Sequence, residues 1–324
     1  MKIIVNQYKF TSPYVSKETN FVSMSDLHWI PGGKNEEIIT SLGSAMDRIN
    51  PDFIVGPGDL INSPTCLNTK EARYAFTEAM RTITGERLFL YDKGNHEGMI
   101  GGGDNWKAVE LTVLEDTLSK LYNTMFLDAL NGFSLADSSL ISKGYTTANI
   151  HVTGSAFPAS YYIDEKERLE AYLTHLLKMF EDKEKPFKDN MQNILLLHDV
   201  RKLIILLERG MLPQSIISQL EGVLLNGGHN HGGGVPNWLS ALAAAARFSY
   251  GLCSPGGELL PKHVEGCKCT NGIYTIQNGY CGDFKPDSDL INSVYGTFDR
   301  PAISKISFIP GEKSKLKRCR SKLI

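Results

Sequence analysis

Five short, largely apolar runs in this chain, Phe21–Ser25, Phe53–Val55, Arg87–Tyr91, Asn193–Leu197 and Val223–Leu225, each lead into a cluster of Asp, Asn, His and Gly. The clusters are Asp26-Leu27-His28, Gly58-Asp59, Gly94-Asn95-His96-Glu97, His198 and Gly228-His229-Asn230-His231. A short apolar run bounded by Gly or polar residues reads as a buried strand. Between the first two runs, Ile38, Ile39, Leu42, Ala45, Met46 and Ile49 recur at helical spacing over Glu36–Ile49, so the unit is strand, loop, helix. Open α/β sheets build sites in the loops after strand C-termini, because the strands hold those loops rigidly. All five clusters fall there.

The same rhythm continues along the chain. Helices are expected over Lys70–Ile83, Trp106–Leu121 and Glu165–Phe180, with a further strand over Ala148–Thr153. Candidate strands at Gly272–Gln277 and Ala302–Phe308 come late without long helices between them, which predicts antiparallel pairing in a second sheet. A chain of 324 residues with 42% hydrophobic content can bury a full core, and one domain over residues 1–324 is expected. The stretch 312–324 carries Lys313, Lys315, Lys317, Arg318, Arg320 and Lys322 and reads as a basic, flexible tail.

Composition narrows the function classes. A formal charge of -2 gives no global field for nucleic acid or an anionic membrane, and no basic and aromatic stripes interleave outside the tail. The opening Met-Lys-Ile-Ile-Val turns polar at Asn6, too short for a signal peptide. No apolar stretch approaches the roughly 18 residues of a membrane helix, so no integral membrane segment is expected. Six cysteines are scattered through the sequence, consistent with a cytoplasmic protein whose thiols stay reduced. Cys267-Lys-Cys269, with Cys253 and Cys281, lacks the Cys-x-x-Cys spacing of zinc knuckles. No feature of the sequence fixes an oligomeric state.

The clusters mix carboxylate and amide oxygens with imidazole nitrogens, a donor set that suits Mn²⁺, Fe²⁺/Fe³⁺ or Zn²⁺ better than Ca²⁺ or Mg²⁺. A lone Asp-x-His or Gly-Asp says little. Their conjunction in order says more, and five of the eight histidines lie inside it. His151, His175 and His263 lie outside, and the first two read as ordinary strand and helix residues.

The order Asp-x-His, Gly-Asp, Gly-Asn-His-Glu, His, Gly-His-x-His resembles the calcineurin-like metallophosphoesterase superfamily, with every element present from residue 26 to residue 231. The Gly-rich run Gly227–Pro236, with Gly272-Ile273-Tyr274 and Gly279-Tyr280, is similar to the bacterial predicted phosphohydrolases of that superfamily. The resemblance implies an α/β fold, a four-layer α/β/β/α sandwich of two mixed sheets flanked by helices. It implies two divalent metal ions, one on Asp26, His28, Asp59 and His231, the other on Asp59, Asn95, His198 and His229, with Asp59 bridging. It further implies a hydroxide between the metals as nucleophile and His96 as proton donor to the leaving oxygen. The expected activity is phosphoester hydrolysis of a small phosphorylated substrate. A phosphodiesterase is preferred to a phosphomonoesterase, and both to a silent metal-binding scaffold.

Where many relatives carry an acid that orients the catalytic His, this chain has Asn62, so Asn62 joins His96 as a catalytic candidate. An amide can accept from imidazole but supplies no charge, which lowers the donor's expected pKa. The Asp-Arg-Gly continuation of the Ser/Thr phosphoprotein phosphatases is absent. Asp199 and Glu97 adjoin ligands, and two readings are open: supports that orient imidazoles, or solvated loop acids. Tyr274, Tyr280 and Phe284 within Thr270–Lys285, and Phe157, Tyr161 and Tyr162 within Leu121–Ile163, are candidates for substrate contact or for core.

Overall fold

The structure is a computed structural model that describes residues 1–32, 35–100, 107–108, 112–121, 123–127, 132–134, 149–155, 168–181, 187–228, 266–278, 281, 301–319 and 322–324. In chain order the elements are β1 (Ile4–Ser12), β2 (Thr19–Ser23), α1 (Asn35–Ile49), β3 (Phe53–Pro57), α2 (Lys70–Thr84), β4 (Leu88–Asp92), α3 (Asn95–Gly98), β5 (Met99–Ile100), β6 (Lys107–Ala108), α4 (Thr112–Leu118), β7 (Thr124–Phe126) and β8 (Gly132–Ser134). There follow β9 (Ile150–Gly154), α5 (Arg168–Glu181), β10 (Gln192–Leu196), α6 (Val200–Glu208), α7 (Gln214–Leu220), β11 (Leu224–Gly227), β12 (Gly266–Thr270), β13 (Ile273–Gln277), β14 (Ala302–Pro310), β15 (Lys315–Arg318) and β16 (Lys322–Leu323).

Two mixed sheets face each other. The first runs β15-β1-β14-β2-β3-β4-β7, with β16 also pairing β1; the second runs β12-β13-β11-β10-β9-β8. Alternation along each strand explains the layers, because successive side chains point to opposite faces. Phe53 and Val55 enter the core between the sheets while Ile54 packs towards helices; Ile194 and Leu196 likewise alternate with Leu195 and Leu197. On the first sheet's outer face α1 contributes Ile38, Leu42 and Met46, α2 contributes Phe76, Met80 and Ile83, and α4 contributes Leu114. On the second sheet's outer face Tyr172, Leu203 and Ile216 come from α5, α6 and α7. The expected α/β/β/α arrangement is therefore the observed one.

The inter-sheet core is aromatic on one side. Phe21 stacks on Phe53 with centroids 4.9 Å apart and planes 11° from parallel, and Phe308 meets Phe21 and Phe10 at 5.4 Å. Tyr274 reaches across from β13 to meet Phe10 edge-on at 4.9 Å and donates its hydroxyl to Ser314 O at 2.6 Å. It belongs to this core, not to a substrate wall. A buried polar link also joins the sheets: Ser23 Oγ donates to Asn226 Oδ1 at 2.5 Å and accepts from Asn278 Nδ2 at 2.5 Å.

Three expectations are corrected. β14 lies in the first sheet, parallel to β1 and antiparallel to β2, while β13 pairs parallel with β11 in the second; pairing partners are set by which face each strand must bury, not by sequence proximity. The 106–121 segment is not one helix, since Lys107–Ala108 is a strand and the helix spans Thr112–Leu118. Val109, Leu111 and Val113 alternate there, a period of two that competes with helix. The basic end is not a loose tail: β15 and β16 pair antiparallel with β1, with Phe10 opposite Leu316 and Lys9 opposite Lys317. Among the described residues no helix is long and apolar enough to cross a membrane.

Phe53 is 1% exposed. Phe53→Ala should lower the unfolding free energy by about 3–5 kcal/mol, the range for emptying an aromatic site in a core, as measured by urea denaturation.

Candidate metal centre at the strand ends

The five clusters come together because the strands carrying them end on the same side of the two sheets. β2, β3 and β4 are consecutive parallel neighbours in the first sheet, and β10 and β11 are parallel neighbours in the second. Pairing does not stop where β2 and β3 do. Asp26 N donates to Gly58 O at 3.1 Å, His28 N to Asp59 O at 3.1 Å and Trp29 N to Leu60 O at 3.0 Å. The first two clusters thus run side by side as backbone.

That course bends the chain into left-handed conformations. Among the described residues, six other than glycine have positive φ. Three of them are Asn50, Asn190 and Asn271, and asparagine tolerates that conformation. The other three are Asp26 (57°), His28 (45°) and Asp59 (57°). Such conformations cost about 1 kcal/mol or more each, so surrounding structure must hold all three.

Asp59 lies at the centre and is fully buried. Its Oδ1 accepts from His96 N at 2.8 Å. Its Oδ2 lies 3.0 Å from His198 Nε2 and 3.8 Å from His28 Nε2. Burial pushes this carboxyl up, but the His198, His96 and His28 imidazoles outweigh it and hold Asp59 well below the usual carboxylate range. The donor atoms of Asp26, Asp59 and His198 all lie within 4.8 Å of one another, and so do those of His28, Asp59 and His96. Asp59 belongs to both groups. Asp26 and His198 thus meet Asp59 in one group, and His28 and His96 meet it in the other.

The protonation pattern tests whether cations fit. His198 Nδ1 lies 2.7 Å from Pro57 O, and a carbonyl only accepts, so Nδ1 carries the hydrogen. Nε2 then faces Asp59 Oδ2 and, at 3.1 Å, Asn95 Oδ1. A neutral imidazole would aim a lone pair at two acceptor oxygens. Only a proton or a metal cation reconciles them. Burial alone would lower the His198 pKa, yet the Asp59 carboxylate, followed by Asp26 and the Pro57 carbonyl, carries it up to about 10. The pocket demands positive charge at Nε2, and a divalent ion meets that demand with the same donors.

His96, half-buried beside them, has Nδ1 2.7 Å from the main-chain oxygen of Asn62. Nδ1 is therefore the donor to that carbonyl. Residue 62 does orient His96, but through its carbonyl and not through the amide side chain expected from the sequence. The His28 and His96 rings meet edge to face, 4.4 Å apart.

The two adjoining acids also differ from expectation. Asp199 pairs with Lys202 at 2.7 Å, and it is the Pro57 carbonyl that orients His198. Glu97 supports no imidazole. Fully buried, it accepts four main-chain hydrogen bonds: Oε2 from Asp59 N at 2.8 Å and Gly94 N at 2.7 Å, Oε1 from Leu60 N at 2.5 Å and Ile61 N at 3.3 Å. Burial first, then the Asp59 carboxylate, pushes its pKa to about 8, opposed by these donors.

His229 and His231 lie outside the described residues, as do His263, Phe157, Tyr161, Tyr162, Tyr280 and Phe284. The chain reaches that last cluster at Gly228, whose N–H donates to His198 O at 2.9 Å. A Cβ on Gly228 would come within 2.5 Å of Asp26 Oδ2. The cluster thus begins between the first and fourth motifs. The Pro57 and Asn62 carbonyls escape sequence reasoning altogether, because a main-chain oxygen is common to every residue type.

No family model matches the sequence, and no curated protein matches it. Among solved structures the chain is similar to a dimetal phosphatase from Danio rerio, at 9% identity and a TM-score of 0.45 over 94% of this chain and 98% of that one. It is also similar to a 5′-nucleotidase precursor from Thermus thermophilus (13% identity, TM-score 0.37, 90% and 54% covered). A third likeness is to the NAD nucleotidase of Haemophilus influenzae (12% identity, TM-score 0.38, 82% and 46% covered). The chain spans about half the length of the two nucleotidases.

Two substitutions probe this geometry. Gly58 has φ 96°, and a Cβ there would lie 2.5 Å from Gly94 N and 2.6 Å from His198 Nδ1. Gly58→Ala should weaken Mn²⁺ binding by about tenfold or more, since a displaced ligand loop costs on that order, as read by titration calorimetry. Asn62→Ala, which keeps the carbonyl, should change any His96-dependent rate by no more than about twofold, the scale of an exposed side-chain change.

Proposed function

We propose that the chain is a metal-dependent phosphoester hydrolase that prefers phosphodiesters, acting on a small phosphorylated substrate with His96 as proton donor. The observation that carries the reading is Asp59 Oδ2, a buried carboxylate oxygen with His198 on one side at 3.0 Å and His28 on another at 3.8 Å. One buried oxygen common to two donor groups is an atom that two neighbouring cations could share. Asp26, His28, Asp59 and His231 would hold one ion and Asp59, Asn95, His198 and His229 the other. Two such ions, Mn²⁺ foremost, supply Lewis-acid polarisation of the phosphoryl oxygens and acidify a water at neutral pH.

The chain's own residues do the rest. Asp59 Oδ1 is fixed by the His96 N–H, which leaves Oδ2 as its metal-facing atom. Asn62 O fixes His96 Nδ1, so a proton delivered to a leaving alkoxide comes from Nε2. The imidazole is then neutral, with Nδ1–H still bonded to the carbonyl. Discharging the leaving group in this way lets a poor leaving alcohol depart. The five described cysteines are free thiols, which agrees with the cytoplasmic placement in this reading.

The test compares bis-p-nitrophenyl phosphate with p-nitrophenyl phosphate, with Mn²⁺ supplied or chelated, for the wild type and His96→Ala. The expected result is metal-dependent cleavage favouring the diester. The substitution should cost about 10²–10⁴-fold on a diester with an alkyl leaving group, the worth of a general acid, and less on the nitrophenyl esters. A monoester preference would reverse the specificity, and metal binding without turnover would leave a scaffold.

A further inference from the structure

Glu97 is buried with no exposed surface, and its hydrogen-bond partners among the described residues are four backbone N–H groups. Three of them, at Asp59, Leu60 and Ile61, belong to consecutive peptide units. The carbonyls of those same units are Gly58 O, Asp59 O and Leu60 O. Each of these oxygens accepts from the first cluster: Gly58 O from Asp26 N at 3.1 Å, Asp59 O from His28 N at 3.1 Å and Leu60 O from Trp29 N at 3.0 Å. Every link therefore runs from the Glu97 carboxylate through a peptide group to the backbone of residues 26, 28 and 29. The fourth donor, Gly94 N, ties in the loop that carries Asn95 and His96.

We propose that Glu97 is the positioning residue of this centre, a carboxylate that sets the backbone of three clusters at once through a relay of three peptide units. The inference rests on the metal-centre reading only for its metal readout; the relay itself is a property of the unloaded chain. A carboxylate is suited to the task because all four neighbours are donors and each oxygen takes two of them. Polarising a peptide N–H strengthens its carbonyl as an acceptor, so each bond to Glu97 is felt one peptide unit further on. The relay also ends on the strained part of the backbone. Asp59, Asp26 and His28 are the left-handed residues of the site, and the first is held by Glu97 directly and the others at one remove. Removing the carboxylate frees those residues to relax towards ordinary φ, and the donor atoms then lose their convergence.

Glu97→Gln replaces one acceptor oxygen by an NH₂ that must face N–H donors. Glu97→Asp keeps the carboxyl group but withdraws it by one methylene. Leu42→Ala, in the α1 core and remote from the clusters, serves as a control for general destabilisation. The first measurement is amide hydrogen exchange on metal-free protein. The expected result is faster exchange at Asp59, Leu60, Ile61 and Gly94 and, through the relay, at Asp26, His28 and Trp29, for both Glu97 variants and not for Leu42→Ala. The second is Mn²⁺ titration of the folded protein, where Glu97→Gln should lose about 10–100-fold in affinity, the usual cost of losing a group that orients metal ligands, with Glu97→Asp losing less. Acceleration confined to the four amides that touch Glu97, or equal acceleration in the Leu42→Ala control, would overturn the relay. If Glu97→Gln does not fold, Glu97→Asp decides by the same exchange pattern. Wild-type protein that binds no Mn²⁺ would sink the metal-centre reading while leaving the exchange result to decide the relay.

Discussion

The centre has three of its clusters on one sheet and two on the other, so everything in it depends on the two sheets packing face to face in one relative position. The apolar part of that contact is large and non-directional. Phe21, Phe53, Phe308 and Tyr274 could slide against one another at modest cost, since area burial does not by itself fix a register. The Ser23, Asn226 and Asn278 link supplies direction. A buried hydroxyl and two buried amides lose several kcal/mol if pulled apart without water, and they lie at the ends of β2, β11 and β13, Ser23 three residues before Asp26 and Asn226 two before Gly228. Apolar packing brings the sheets together and this polar contact sets where they stop.

Much of this was legible in the sequence because strand ends are marked by composition. The run Phe53-Ile54-Val55 followed by Gly-Pro-Gly-Asp could only be a buried strand breaking into a turn, and β3 ends at Pro57. Glu36–Ile49 declared its buried face through Ile38, Leu42 and Met46, and those residues meet the sheet. The donors Asp26, His28, Asp59, Asn95, His96 and His198 were chosen by chemistry and order, and the fold gathers them.

What sequence could not convey was the partner of each group. Asn62, Asp199 and Glu97 were judged by their side chains, yet residue 62 acts through its carbonyl, Asp199 is taken by Lys202 one turn along its helix, and Glu97 grips backbone. A side chain's partner depends on approach distances of a few tenths of an ångström between segments distant in sequence. Residue type limits the candidates without choosing among them. Strand pairing fails for the same reason: nothing in Ile4–Ser12 announces a parallel neighbour at Ala302–Pro310.

That pairing has a consequence for how the molecule is made. β1 has β14 on one side and β15 with β16 on the other, so both of its edges are filled by residues after 300. β1 is therefore made long before either of its neighbours. Everything from β2 to β13 must be synthesised while a nine-residue strand carrying Tyr8 and Phe10 waits without neighbours, a template for pairing with other chains and a source of slow, long-range closure. In a living cell the hazard of this fold lies in that interval and would fall to chaperones that cover β1 on the nascent chain.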